Sequence, residues 1–348
     1  MATVVPVDAF ASNTAPRAGN QSSRSINVPV PELSLALVFA VIGITISQIF
    51  GLAFGLPTSG SLAFTGVSYL VPLLIVVGTL LVAVLLRQVS RAAYFLAVIA
   101  AYGTVLIVHF NIKLWVWSIN PMRWDAEYGK IDQMFQPLVD GARSFHNALP
   151  FAASAVDRLY LFAFLAMFAC SIIVHSMRAF IVLREVVLAS MIVHVLGGLS
   201  YLIAPALGPF ITDAGVNALE TKRQIFMLSA HHAALAGGPD WFVANGSEFL
   251  ATGLAAMPSL HVASSAVFVY FAWAYERRLC WVYFPLFGFI MIEAVATRWH
   301  YLIDIVAGLG LTAVAIILVE RVLRPWLASD ARFIIPQRKL AKVKPLAD

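Results

Sequence analysis

The sequence predicts an all-α membrane protein, a polytopic bundle of about eight transmembrane helices with both termini in the cytoplasm. Of its 348 residues, 61% are hydrophobic and only 12% are charged, and the mean hydropathy is +0.85. An ordinary soluble domain has about 45–50% apolar and about 25% charged residues. The composition therefore excludes soluble, disordered and coiled-coil proteins, and the dispersed basic residues give no reason to expect a nucleic-acid partner.

Eight long apolar runs account for the predicted helices. Each is near the length of about 20 residues that a helix needs to cross the hydrocarbon core. These runs must be helical because unpaired backbone groups are too costly in lipid, and none shows the alternation typical of a membrane barrel. The runs are residues 33–55, 67–86, 92–112, 156–177, 183–203, 258–275, 279–297 and 301–320.

The distribution of basic residues predicts the orientation. With the N-terminus in the cytoplasm, most Lys and Arg residues fall in cytoplasmic segments, as the positive-inside rule requires. The polar segment 1–30, rich in Ser, Asn and Pro, is then a disordered cytoplasmic tail, and 323–348 is a basic cytoplasmic tail. The long loops 113–155 and 204–257 lie together on the outer, extracytoplasmic face, where they could cover a site.

The first of these loops is predicted to contain an amphipathic helix that Pro137 interrupts. It either lies on the membrane surface or packs as a cap on the bundle, and the sequence does not decide between the two. The apolar residues at helical spacing are Trp124, Tyr128, Ile131, Phe135 and Leu138.

Residues 297–304 place an arginine, a histidine and an aspartate in one apolar run. Such groups are costly in a membrane unless they face one another or a water-filled cavity. On a helix, His300 and Asp304 would share a face, so that the carboxylate holds one imidazole nitrogen and leaves the other basic. That nitrogen could attack phosphorus or take a proton from an attacking hydroxyl. Trp299 and Tyr301 are interpreted as interfacial anchors.

The segment Met-Pro-Ser-Leu-His at 257–261 is predicted to begin another helix. Pro258 suits an opening turn, whose free N–H groups and helix dipole favour a phosphate. Ser259 could add a hydroxyl donor, and His261 could supply a proton to a leaving oxygen.

The two segments together resemble the second and third signature motifs of the type 2 phosphatidic acid phosphatase superfamily, Pro-Ser-Gly-His and Ser-Arg-x5-His-x3-Asp. With residues 204–209, they are most similar to the branch that contains fungal inositol phosphorylceramide synthase and sphingomyelin synthase. The resemblance covers about 113–320. It implies a six-helix catalytic core within 91–322, preceded by two additional helices within 31–90.

The resemblance also implies an activity. It is phosphoryl or phospho-headgroup transfer among membrane lipids, at a site on the outer or lumenal face that needs neither a metal nor a cofactor. His300 would be the nucleophile or base, Asp304 would orient it, and His261 would be the acid that serves the leaving oxygen.

The sequence departs from the family pattern in the residues that should bind phosphate. Leu260 replaces a glycine, Arg298 stands two residues before His300 rather than six, and Tyr201 stands where the first motif, Lys-x6-Arg-Pro, should have its lysine. Residues 113–121 read Lys-x6-Asn-Pro, but two spans too early, and are interpreted as a coincidence.

A phosphate site must therefore find its cations elsewhere. Arg298 is the best candidate, because its planar fork can hold two oxygens. The second-rank candidates, whose alternative is a solvated loop surface, are Lys222, Arg223, His231 and His232. Glu293 is interpreted as a satisfied buried carboxylate that pairs with Arg298 or another polar group.

Three functions remain open from the sequence. The residues of the two motifs favour a transferase with a hydroxyl acceptor. The close alternative is a hydrolase that forms a phosphohistidine and releases phosphate. The alternative from another class is a transporter, flippase or non-catalytic lipid-binding scaffold. In that case His261, His300 and Asp304 would form a proton relay or headgroup clamp.

Overall fold

The computed structural model describes residues 31–58, 89–149, 153–178, 180–213 and 218–329, and its regular structure there is helical throughout. Six of the helices in these ranges are long and apolar enough to cross a membrane, and one further apolar helix is shorter. The prediction of a polytopic helical membrane protein is confirmed. The predicted span 67–86 and most of the two tails lie outside the described residues.

The helices are numbered here in chain order. The six long apolar ones are α1, α2, α5, α6, α9 and α10, and the shorter apolar one is α8. Their bounds are α1 Pro31–Phe50, α2 Val89–Ile119, α3 Asp125–Met134, α4 Gln136–Ala148, α5 Ala153–Arg178, α6 Phe180–Tyr201, α7 Ala218–Asn245, α8 Leu260–Tyr275, α9 Cys280–Ala296, α10 Leu302–Ile317 and α11 Arg324–Ser329.

Helix α6 is the centre of the bundle. In its most apolar window 83% of the residues are buried, whereas the corresponding share is 22–39% in the other five long helices. It packs against α2, α5, α8 and α10. The other long helices expose apolar side chains such as those of Leu37, Phe162 and Val306, as lipid contact allows.

Two ion pairs with fully buried carboxylates hold the end of the bundle at which α6 begins. Arg184 donates to Glu32 of α1 at 3.0 Å, and the next residue, Glu185, accepts from Arg324 of α11 at 2.6 Å. Charged groups at membrane depth are stable when they pair in this way. Arg184 is thus buried inside the bundle.

Helices α8 and α10 make an unusually close contact. The N–H of Ser259 donates to the carbonyl of Asp304 at 3.0 Å, and the Thr312 hydroxyl donates to the carbonyl of Ala263 at 2.8 Å. Between these bonds lies Gly308, where an added Cβ would stand 2.6 Å from the carbonyl oxygen of Ser259. Only glycine permits this approach, so the starts of the two helices are fixed to each other.

We expect Gly308→Ala to destabilise the protein by about 1–3 kcal/mol, because the methyl group would force two backbones apart. Gly310→Ala is the matched control on the same helix, since its Cβ would meet nothing within 4 Å. Thermal unfolding in detergent measures both variants. Equal stability of the two would contradict the close contact.

Candidate active site

The predicted site residues lie at the starts of α8 and α10. The helices begin later in the sequence than predicted. Helix α10 begins at Leu302, so His300 lies in the turn before it, and the prediction that His300 and Asp304 share a helix face is wrong. Helix α8 begins at Leu260 with Ser259 as its N-cap. Pro258 therefore precedes the cap instead of opening the first turn.

His300 and Asp304 nevertheless meet, because Asp304 turns back towards the residues before its helix. Its Oδ2 accepts the N–H of Tyr301 at 2.8 Å and lies 3.3 Å from Nδ1 of His300. One carboxylate oxygen thus caps the helix and holds the imidazole. With Nδ1–H donated to Asp304, the Nε2 atom of His300 keeps its lone pair.

Asp304 is fully buried, and its second oxygen, Oδ1, has no hydrogen-bond partner among the described residues. The same is true of the Ser259 hydroxyl at the N-cap of α8. Leaving a buried polar atom unpaired is costly. Two such atoms at adjoining helix starts are the pattern expected where a polar ligand binds.

His261 is the second residue of α8 and is held by aromatic rings. The rings of Phe164 and Tyr160 meet its imidazole at centroid distances of 4.8 and 5.3 Å. Two residues before it, the N–H of Ser259 donates to the carbonyl of Asp304 at 3.0 Å. The structure therefore brings His261 and the His300–Asp304 pair to the same end of the bundle.

Arg298 supports the turn between α9 and α10. Its backbone is left-handed, with φ at 66°, and its buried guanidinium donates to the carbonyl of Asp213, to Thr221 at 3.1 Å and to Gln224 at 3.0 Å. These bonds tie the turn to α7. They favour a role in positioning His300, and direct phosphate binding by Arg298 stays a prediction.

The second-rank cations are placed less favourably for a phosphate. Lys222 is exposed, and Arg223 is paired with Glu220 at 2.9 Å. Burial, assisted by the neighbouring His232, lowers the pKa of His231 to about 4, so this imidazole is neutral at pH 7. The contacts of Arg223 and His231 favour structural roles, and binding of phosphate by Lys222 or Arg223 stays a prediction.

Lys113 of α2 is a cation that the sequence interpretation set aside. Its Nζ lies 5.5 Å from the centroid of the Tyr201 ring, and its charge acts on His261 as well as on His109. Within the described residues it has no carboxylate partner. Tyr201 stands where the family pattern has its lysine, so an ammonium group from another helix lies over that position. The near match at 113–121 was the available signal.

Asp125 of α3 joins the covering segment to the site, a contact that the sequence did not reveal. Its Oδ1 accepts the N–H groups of Leu207 and Gly208 at 2.9 and 3.0 Å and the hydroxyl of Tyr301 at 3.0 Å. Tyr301 is 2% exposed, so its interpretation as an interfacial anchor is wrong. Of the two alternatives for the amphipathic segment, α3 follows the second and caps the bundle.

Asp132, two turns further along α3, accepts the N–H of Leu302 at 2.9 Å. Burial raises its pKa to about 6, and the charge of Asp304 adds to this while the N–H of Leu302 opposes it. A carboxyl that holds its proton more tightly in the folded than in the unfolded state stabilises the fold where it is protonated. That stability is present below about pH 4 and is lost as the pH rises to about 6.

We therefore expect Asp132→Asn to reduce the decline in melting temperature between about pH 4 and about pH 6, because an amide does not ionise. Thermal unfolding of the wild type and the variant at several pH values measures the difference. Asp140→Asn, at an exposed position of α4, is the control. A constant difference at every pH would contradict the assignment.

Comparison with known proteins identifies the family of this chain. A family model described as the PAP2 superfamily matches residues 130–318, which is more than half of the chain and includes His261, His300 and Asp304. Neither the curated proteins nor the solved structures gave a match. The chain belongs to the PAP2 superfamily.

Proposed function

We propose that the protein moves a phosphate-containing group from a membrane lipid to a hydroxyl acceptor, at the end of the bundle where α8 and α10 begin. Membership of the PAP2 superfamily supports a function of the lipid phosphatase or phosphotransferase type. The observation that carries the proposal is the His300–Asp304 pair, fixed by backbone contacts beside the helix start that bears His261.

In the first step, Nε2 of His300 attacks the phosphorus of the donor, and the bond from phosphorus to the leaving oxygen breaks. His261 gives its proton to that oxygen, which leaves as an alcohol. The product is a phosphohistidine. Asp304 holds Nδ1–H of His300 throughout and stabilises the positive charge that develops on the ring.

Phosphoryl transfer also requires cations or N–H groups at the non-bridging oxygens. Lys113 suits this role better than Arg298, because the guanidinium of Arg298 already donates to three acceptors of the protein. The first N–H groups of α8 would assist, as helix starts do for anions. A half-buried ammonium group without a carboxylate partner among the described residues would gain its counter-ion from the substrate.

In the second step, a hydroxyl oxygen attacks the phosphohistidine. With a lipid or sugar alcohol as the acceptor, the reaction is a transfer; with water, it is a hydrolysis. We favour transfer, because the residues around Leu260 resemble those of the inositol phosphorylceramide and sphingomyelin synthase branch. We also propose that the site opens to the extracytoplasmic face, since the Arg-rich short connections lie at the opposite end of the bundle.

The test is a panel of lipid phosphates given to the purified protein in proteoliposomes, with and without diacylglycerol or ceramide as the acceptor. We expect phosphate release or exchange of a headgroup. If the protein binds lipid but neither releases phosphate nor exchanges a headgroup with any member of the panel, the proposal is overturned in favour of a transporter or scaffold. Mass spectrometry of the lipids that copurify with His300→Ala is expected to identify the donor.

A further inference from the structure

A second histidine–carboxylate pair lies at the same end of the bundle. Nδ1 of His146, on α4, is 2.7 Å from Oε2 of Glu293, on α9. Glu293 is fully buried, and the His146 side chain is 13% exposed. The proposed reaction, as described so far, uses neither residue.

The other oxygen of Glu293 is unsatisfied. Oε1 is buried and has no hydrogen-bond partner among the described residues. The sequence-based interpretation, a satisfied carboxylate that pairs with Arg298 or another polar group, therefore holds for Oε2, which meets His146, and is wrong for Oε1. Buried carboxylates are expected to use both oxygens unless a ligand supplies a donor. Asp304 shows the same arrangement, with one oxygen on an imidazole and the other unpaired.

The pair adjoins the reacting groups through the backbone, since the N–H of His300 donates to the carbonyl of Ala294, the residue after Glu293, at 3.1 Å. The charges of Glu220 and Glu293 also act on the Tyr160 hydroxyl, and the ring of Tyr160 packs against His261 at a centroid distance of 5.3 Å. Of the groups whose charge acts on His261, Lys113 is the cation, because the ring of His300 is neutral in the proposed reaction. His261 therefore has an ammonium group as one neighbour and, behind Tyr160, acidic groups.

The cationic side and the acidic side of His261 attract different kinds of ligand. A phosphate is drawn towards Lys113 and repelled by a carboxylate. A neutral hydroxyl group, which donates a hydrogen bond, is attracted by the free oxygen of Glu293. The acidic side of His261 thus suits the group that receives the phosphate.

We propose that Glu293 and His146 form the subsite for the acceptor hydroxyl, an inference that rests on the proposed function. Oε1 of Glu293 accepts a hydrogen bond from the hydroxyl and then takes its proton. The hydroxyl oxygen attacks the phosphorus on His300, the phosphorus–nitrogen bond breaks, and its electron pair returns to the imidazole. The product is a phosphate ester, or inorganic phosphate when water is the acceptor. His146 is a positioning residue that holds the carboxylate through Oε2.

The two half-reactions can be followed separately. Phosphohistidine formation is measured with 32P-labelled dioleoyl phosphatidate, or with whichever labelled member of the panel marks the wild-type protein. Loss of the label is then measured with increasing dioctanoylglycerol. We expect Glu293→Gln to slow the loss of label by about 10²-fold, the usual contribution of a general base, and to leave the labelling rate nearly unchanged. His146→Gln should slow the same step by less.

Glu248→Gln, at an exposed glutamate, is the matched control. If Glu293→Gln does not fold, His146→Gln tests the subsite by itself, since it changes the residue that holds Glu293 and should slow only the loss of label. Equal slowing of both steps, or slowing of neither, would overturn the subsite. If no member of the panel labels the wild-type protein, the proposed function itself is contradicted. That result is obtained before any variant is made, so it is distinct from failure of the subsite.

Discussion

His300→Ala is expected to abolish turnover and to leave the protein folded. In the proposed reaction the imidazole supplies the atom that attacks phosphorus, and the bond to Asp304 is the side-chain contact that holds it in the described part of the chain. Asp304→Asn should cost less, on the order of 10²–10⁴ in rate, because it disturbs the tautomer and orientation of His300 without deleting the nitrogen.

Phosphate release or headgroup exchange measures the activity of these variants, and thermal unfolding measures their stability. His232→Ala, at an exposed histidine of α7, is the control and should keep full activity. Full activity of His300→Ala would remove the catalytic assignment. If both His300→Ala and His232→Ala lost their fold, the activity assay would report protein stability rather than catalysis.

Lys113→Met is expected to lower kcat/KM by about 10²–10³, the usual cost of removing one donor to the transition-state charge. Methionine keeps an apolar stem beside Tyr201 and removes the ammonium group. Because Lys113 has no carboxylate partner among the described residues, the variant should be as stable as the wild type or more stable. Activity and stability should therefore change in opposite directions.

Lys222→Met is the control for a basic residue at an exposed position of α7. Its activity should remain near that of the wild type. If Lys222→Met lost activity and Lys113→Met did not, the phosphate would bind on the α7 side of the site, where the sequence has its second-rank candidates.

Composition and apolar run length were sufficient to predict the membrane helices, because both depend on the local sequence. The spacing of His300 and Asp304 also predicted their contact, although for the wrong reason. The sequence was read as a continuous helix, whereas the bond forms because Asp304 folds back on the N-terminus of α10. Capping geometry of this kind depends on where a helix begins, which is the least certain part of any sequence-based prediction.

Contacts between distant segments could not be predicted from periodicity. Tyr301 looked like a membrane anchor because its partner, Asp125, is far away in the sequence. The His146–Glu293 pair likewise joins a covering helix to a long apolar one. Lys113 is the exception, since its local motif is visible in the sequence and only its place in the chain order departs from the family pattern.

The glycine contact between α8 and α10 has a consequence for the response that we expect of the protein to its lipid surroundings. Membranes of different thickness tilt the helices that cross them. Two helices joined backbone to backbone at Gly308 must tilt as one body, so His261 and His300 keep their separation in a thin or a thick bilayer. Membrane composition would then alter how deep the reacting groups lie, and hence how readily a lipid headgroup reaches them, while the chemical step itself stays constant.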